Sequence, residues 1–156
     1  MEKYCSRACT REEAIELING LVGQPFGYGI KSPDMDLYDL GFGEWIEYLT
    51  QLGKLNTACT YAIHLTGGIK VWWKNGKKAV YYWDTPCEEF HKNARQMIGL
   101  HVKRVALSDK NDLWLDLGQC TMVIITREDA DESWRLFAPG SDRLHLVVSD
   151  QWHGVI

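Results

Sequence analysis

Apolar and polar residues alternate most regularly in the middle of the chain, where Ile69-Lys-Val-Trp-Trp-Lys-Asn-Gly-Lys-Lys-Ala-Val-Tyr-Tyr-Trp83 sets two such runs on either side of Asn75-Gly76. Asn-Gly between alternating runs is the strongest short-range signal for a β-hairpin closed by a two-residue type I′ turn. That turn pairs Lys74 with Lys77, Trp72 with Ala79 and Lys70 with Tyr81. Period-two alternation then puts Ile69, Val71, Trp73, Val80 and Tyr82 on one face, and Lys70, Trp72, Lys74, Lys77, Tyr81 and Trp83 on the other. The first face reads as core. The second mixes flat aromatics with cations, the composition of a binding surface or of a covered layer.

Elsewhere the pattern switches between helical and extended periods. Thr10-Arg-Glu-Glu13 is a capping box, so a helix is expected from Arg11, with Ala14, Ile15, Leu17, Ile18 and Leu21 as its apolar stripe and Gly20 and Gly23 as its stop. Gln24 to Met35, dense in Gly, Pro and Ser, reads as a long loop. Asp36 to Tyr48 reads as a strand bent at Gly41 and Gly43, with Leu40, Phe42, Trp45, Ile46 and Tyr48 as candidates for burial. Gln51 to Thr57 is a polar turn, and Ala58 to Thr66 a strand that completes a three-stranded meander with the hairpin. Thr85-Pro-Cys-Glu88 starts a second helix, with Thr85 as N-cap and Pro86 at the first position; Phe90, Ala94, Met97 and Ile98 line one face and Gly99 ends it. Leu100 to Leu107, Leu113 to Leu117, Thr121 to Thr126 and Leu144 to Ser149 read as strands of a second meander. The expected architecture is α+β: antiparallel meanders forming a curved sheet, packed by two helices.

Composition narrows the class. A chain of 156 residues, 46% hydrophobic and 24% charged, fits one soluble domain over 1–156, with about nine amino-terminal residues forming a mobile end. No apolar stretch approaches the ~20 residues that span a bilayer, and the amino terminus lacks a secretory core, so a cytoplasmic protein is expected. The five cysteines, Cys5, Cys9, Cys59, Cys87 and Cys120, are odd in number and scattered, which argues for free thiols over disulfides or zinc. A formal net charge of −4 disfavours a general nucleic-acid binder. The charge is uneven: acidic residues concentrate in Asp34 to Glu47 and Glu128 to Glu132, and lysines on the hairpin.

No motif specifies a reaction. The five histidines make no i, i+4 pair, Ser133 precedes Trp134 without the glycines of a nucleophile elbow, and Gly20-Leu-Val-Gly23 and Gly27-Tyr-Gly29 lack the lysine of a phosphate loop. Asp84, Asp112 and Asp116 are carboxylates at strand ends, positions that usually solvate or cap. The expectation is a non-enzymatic chain without metal or cofactor. In Glu132-Ser-Trp-Arg135, the structural reading buries Trp134 and Phe137 and pairs Arg135 with a carboxylate.

Asn111-Asp-Leu-Trp-Leu-Asp-Leu-Gly118, Glu132-Ser-Trp-Arg-Leu-Phe137 and Leu144-His-Leu-Val-Val148 together resemble a family of small uncharacterised bacterial α+β proteins with a Glu-Ser/Cys-Trp-Arg-x-Phe motif. Leu17 to Gly23, Asp36 to Gly43 and Tyr61 to Leu65 are similar in order, while Gly67-Gly68-Ile69 departs from the polar-Trp-Arg strand expected there. The resemblance implies an immunity-type protein that covers a toxin's active site. A basic protein partner would then meet Asp34, Asp36, Glu44, Glu128, Asp129, Asp131 and Glu132. The second reading is a binder of a nucleotide-like anion through Lys70, Trp72, Lys74, Lys77, Tyr81 and Trp83. An uncharacterised enzyme is a third, and a homodimer is left open.

Overall fold

The computed structural model describes residues 7–50, 52–128, 132–139, 145–149 and 154–155. Among these the chain is α+β, with two helices and two antiparallel sheets. The elements are β1 (Ala8–Cys9), α1 (Arg11–Asn19), β2 (Phe26–Lys31), β3 (Tyr38–Leu49), β4 (Leu55–Leu65), β5 (Ile69–Trp73), β6 (Lys78–Tyr81), α2 (Cys87–Met97), β7 (Arg104–Leu107), β8 (Leu113–Asp116), β9 (Cys120–Ile124), β10 (Trp134–Phe137), β11 (His145–Val148) and β12 (Gly154–Val155). A seven-stranded sheet runs β1-β12-β11-β10-β4-β3-β2, and a five-stranded sheet runs β6-β5-β9-β8-β7. One hydrophobic cluster joins them, taking Leu40, Ile63 and Trp134 from the first, Val71, Leu115 and Met122 from the second, and Ile18 and Phe90 from the helices.

The expected meander from residue 58 to 83 is split between the sheets. β4 pairs with β3 and β10, whereas β5 pairs with β6 and β9. Thr66-Gly67-Gly68 carries the chain across: Thr66 N–H bonds the Ser133 carbonyl on one side and the Gly68 carbonyl accepts from Ile125 N–H on the other. A side chain at Gly67 would strike the Ile125 carbonyl, so the crossing needs glycine. β7, β8 and β9 do form a meander, whereas the fourth strand expected in it, β11, pairs with β10, a strand not expected from the sequence, in the other sheet.

The stretch read as a loop from Gln24 to Met35 contains β2. Its glycines serve close approach: a Cβ at Gly29 would lie 3.0 Å from the Ala94 Cβ of α2, and one at Gly27 would lie 2.7 Å from Cys59 Sγ. The capping box of α1 forms as expected, with Thr10 Oγ1 accepting from Glu13 N–H at 3.1 Å and Glu13 Oε1 from Thr10 N–H at 3.2 Å. At α2 the cap differs. Pro86 is the N-cap, and Thr85 Oγ1 instead accepts from Tyr82 N–H at 2.9 Å, closing the turn between β6 and the helix. Trp45, expected in the core, lies exposed beyond a bulge at residues 42–45, where it stacks on Tyr28 at 5.2 Å.

Ala8–Cys9 pair with β12, so the ordered chain starts before the end of the segment expected to be mobile; residues 1–6, including Cys5, lie outside the described residues. Cys9, Cys59 and Cys120 are buried. Among the described residues no helix is long and apolar enough to cross a membrane.

Candidate functional site

The hairpin turn decides which side chains reach solvent. Trp73 N–H bonds the Lys77 carbonyl at 2.8 Å and Gly76 N–H bonds the Trp73 carbonyl at 3.0 Å, so the loop holds three residues, Lys74, Asn75 and Gly76. Gly76 has φ +93° while Asn75 does not enter the left-handed region, the geometry of a type I turn followed by a glycine bulge. The register is therefore Ile69 with Tyr81, Lys70 with Val80, Val71 with Ala79 and Trp72 with Lys78. One residue of slip exchanges the faces of β6 relative to the expectation. Tyr81 turns into the core against Phe90, with ring centroids 5.1 Å apart, and burial raises its phenol pKa; Val80 and Tyr82, expected inside, are exposed.

What remains outside is a platform on the five-stranded sheet. Its registers give two rows: Val80, Lys70, Val123, Trp114 and Ala106, and Lys78, Trp72, Thr121, Asp116 and Arg104. Trp72 and Trp114 lean together across β9 with centroids 5.3 Å apart and planes at 51°. Val123, between Lys70 and Trp114 in register, is only 3% exposed although it lies on the outer face. Beside Trp114 a depression of about 420 Å³ is lined by Arg104, Val105, Ala106, Asp116 and Thr121. Arg104 Nε is 3.5 Å from Asp116 Oδ2, and Asp116 Oδ1 accepts from Gly118 N–H at 2.9 Å. Lys74 and Lys77 are exposed in the turn. Of the expected hairpin site, Lys70 and Trp72 thus share the platform, Lys74 and Lys77 border it at the turn, and Tyr81 is removed from it.

Trp83 belongs to a different surface. It is 65% exposed, yet its backbone is held: Lys31 Nζ donates to the Trp83 carbonyl at 2.7 Å and to the Thr85 carbonyl, and Tyr38 Oη donates to the Tyr82 carbonyl at 2.6 Å. Lys31 is itself 6% exposed, with its ammonium 5.8 Å from the Tyr38 ring centroid. Burial pushes the Tyr38 phenol up to about 12.

The turn from Ser32 to Leu37 springs from Lys31 and presents Asp34, Met35 and Asp36 to solvent. Tyr38, Leu65 and Trp134 are register partners, so this turn, the Thr66–Gly68 crossing and the segment before β10 all lie at one end of the seven-stranded sheet. Glu128 is exposed there, next to Arg127, whose N–H bonds Ser133 Oγ at 2.9 Å. Glu132 is occupied within the fold, its two oxygens each 2.8 Å from Arg135 nitrogens. Glu44 stands apart, near the bulge and away from the Tyr38 end of β3. Asp129 and Asp131 lie outside the described residues.

Trp134 is buried as expected, and its Nε1 donates to the Asn111 carbonyl at 3.0 Å; Phe137 is half-buried on the outer face, against His64 at 4.6 Å between centroids. His64 Nε2 lies 3.4 Å from Asp39 Oδ1, which also accepts from Tyr28 Oη at 3.0 Å. Among the described residues no three His, Cys, Asp or Glu side chains gather as metal ligands.

Sequence reasoning missed Trp114 and Arg104, which complete the platform, and weighed Asp116 only as a strand-end carboxylate. The signal was present in Leu113-Trp-Leu-Asp116, whose alternation buries Leu113 and Leu115 and turns Trp114 and Asp116 outward. No protein-family model matches the chain, no curated protein matches its sequence, and no solved structure matches its fold.

Proposed function

We propose that this chain is a non-catalytic binding protein that docks a basic protein partner at the acidic end of the seven-stranded sheet, with Trp83 as the anchor. The observation that carries the reading is an exposed indole on an immobilised backbone: Lys31, Tyr38 and Thr85 hold the turn that presents it. A large aromatic ordered before contact loses little entropy on binding, which is why tryptophans dominate interface energetics. Asp34, Asp36, Asp84 and Glu128 supply negative charge without a cation paired to them in the described structure, a field that attracts a basic surface and speeds encounter. An immunity-type role, implied by the resemblance of Glu132-Ser-Trp-Arg-Leu-Phe137, fits a surface that covers a basic toxin's active site. In this reading Trp134 supports the fold and Trp83 makes the contact.

Affinity capture from cell lysate with the wild-type chain, Trp83→Ala and the double variant Asp34→Lys/Asp36→Lys tests it. A basic protein should be retained by the wild type, at least tenfold less by Trp83→Ala, and less by the charge reversal in a way that added salt diminishes. If no basic protein is retained, or both variants retain it equally, the reading fails.

A further inference from the structure

The platform on the five-stranded sheet lies apart from the acidic end and has its own chemistry. Trp114 is 38% exposed, and its neighbour across β7–β8, Ala106, offers only a methyl group, so a depression opens beside the indole. Its volume of about 420 Å³ is in the range of small-molecule sites, roughly 300–1,000 Å³. Three kinds of group surround it: an aromatic ring for stacking, the Asp116 carboxylate and Thr121 hydroxyl for hydrogen bonding, and the Arg104 guanidinium for an anion.

Trp72 buttresses Trp114 from the far side, and Lys70 and Lys78 add positive potential beyond it. Strands lie about 4.8 Å apart, so Lys78 on β6 and Arg104 on β7, four strands away, are separated by roughly 19 Å. They cannot grip the same phosphate. Arg104 is therefore the phosphate partner in the depression.

We infer that this depression binds a free nucleotide, its base stacked on Trp114, its phosphate on Arg104 and its base edge read by Asp116. The side chain of Arg104 is 84% exposed, and a surface pair such as the one it makes with Asp116 is worth about 0–1 kcal/mol, so it can turn to a phosphate at small cost. Asp116 stays in place because its other oxygen is held by Gly118 N–H. An ionised carboxylate only accepts hydrogen bonds, and guanine presents adjacent N–H donors on its Watson–Crick edge, whereas adenine pairs one donor with an acceptor. Guanine nucleotides should bind best. A strand of nucleic acid is a poorer occupant, since the chain's net charge is −4 and one arginine serves the depression.

Isothermal titration of the full chain with GMP, AMP, UMP and a fifteen-residue oligothymidylate tests the assignment. GMP should bind with one site per chain, ahead of AMP and UMP. Trp114→Ala should weaken it by about 5- to 150-fold, the loss expected for one stacked base, while Trp114→Phe retains most of the affinity. Arg104→Ala should weaken all three nucleotides, and Asp116→Asn should narrow the gap between GMP and AMP. Circular dichroism identifies a misfolded variant, in which case Trp114→Phe and Arg104→Ala carry the test. Absence of heat with every nucleotide at millimolar concentration, binding of the oligonucleotide alone, or binding indifferent to both Trp114 and Arg104 would overturn the proposal.

Discussion

Lys31 is the residue on which the acidic end depends. Its ammonium is inside the protein, and its partners are carbonyl oxygens at Trp83 and Thr85, with the Tyr38 ring beside it. Hydrogen bonds from a charged donor contribute about 1.5–3 kcal/mol each, and unsatisfied buried carbonyls cost comparable amounts. Lys31→Met keeps the packing of the aliphatic stem and removes the donor. We expect it to lower stability by about 2 kcal/mol in urea unfolding and to loosen the 82–86 turn, read as faster proteolytic cleavage there. Unchanged cleavage would mean that the turn is held by Tyr38 and Thr85 alone. Nothing in Ile30-Lys-Ser-Pro33 marks this lysine as internal. Its burial is a tertiary event: the turn entering α2 must close over β2 before the ammonium has carbonyls to bind.

Single residues decided how far each element could be read from sequence. Long-period patterns with local caps were legible, as at Thr10 and Glu13, because the capping bonds form within one turn of chain. The hairpin was legible as an element but not in register, since Asn75-Gly76 is compatible with both the two-residue turn and the three-residue loop with a bulge. The choice is made by Tyr81, which gains a core position against Phe90 only in the longer loop. β2 was hidden because Gly27 and Gly29 look like turn residues until Cys59 and α2 approach them.

Of the residues expected on the hairpin face, Lys70 and Trp72 do share the platform, while Tyr81 turns into the core and Trp83 lies on another surface. Trp114 and Arg104 were not read as part of it, because β9 inserts between β5 and β8 by a non-local pairing. The loop geometry makes its own prediction. Gly76→Ala should cost about 1–2 kcal/mol at φ +93°, and Asn75→Ala less, about 0.5–1 kcal/mol for its hydrogen bond from Lys77 N–H. A thermal-denaturation series in which Asn75→Ala is the worse of the two would contradict the three-residue loop.

At the scale of the whole molecule, two phenols and a thiol tie stability to alkaline pH. Burial raises Tyr38 to about 12, raises Tyr81 as well, and raises Cys120 to about 11 with Asp116 adding to the effect. Each group is neutral in the folded interior and ionises more readily once unfolded. Their contribution is full below the unfolded values, near pH 9–10, and is lost as pH rises through the folded ones. The shift at Tyr38 alone corresponds to about 3 kcal/mol as an upper figure. Urea midpoints should therefore be flat from pH 7 to about 9 and fall steeply between about 10 and 12, with Tyr38→Phe less steep than the wild type. A slope that Tyr38→Phe leaves unaltered would place the sensitivity elsewhere.

Six of the seven tryptophans lie among the described residues, and they sit at different depths. Trp134 is sealed inside and donates to the Asn111 carbonyl, Trp114 lies half open on the platform, and Trp83 and Trp45 stand in solvent. The chain therefore carries its own fluorophores, graded in polarity. Its emission should be a composite, with a blue component from Trp134 that persists until the core opens and red components from Trp83 and Trp45 that iodide or acrylamide should quench. Ligands at the two surfaces would write to different parts of one spectrum, without any label attached.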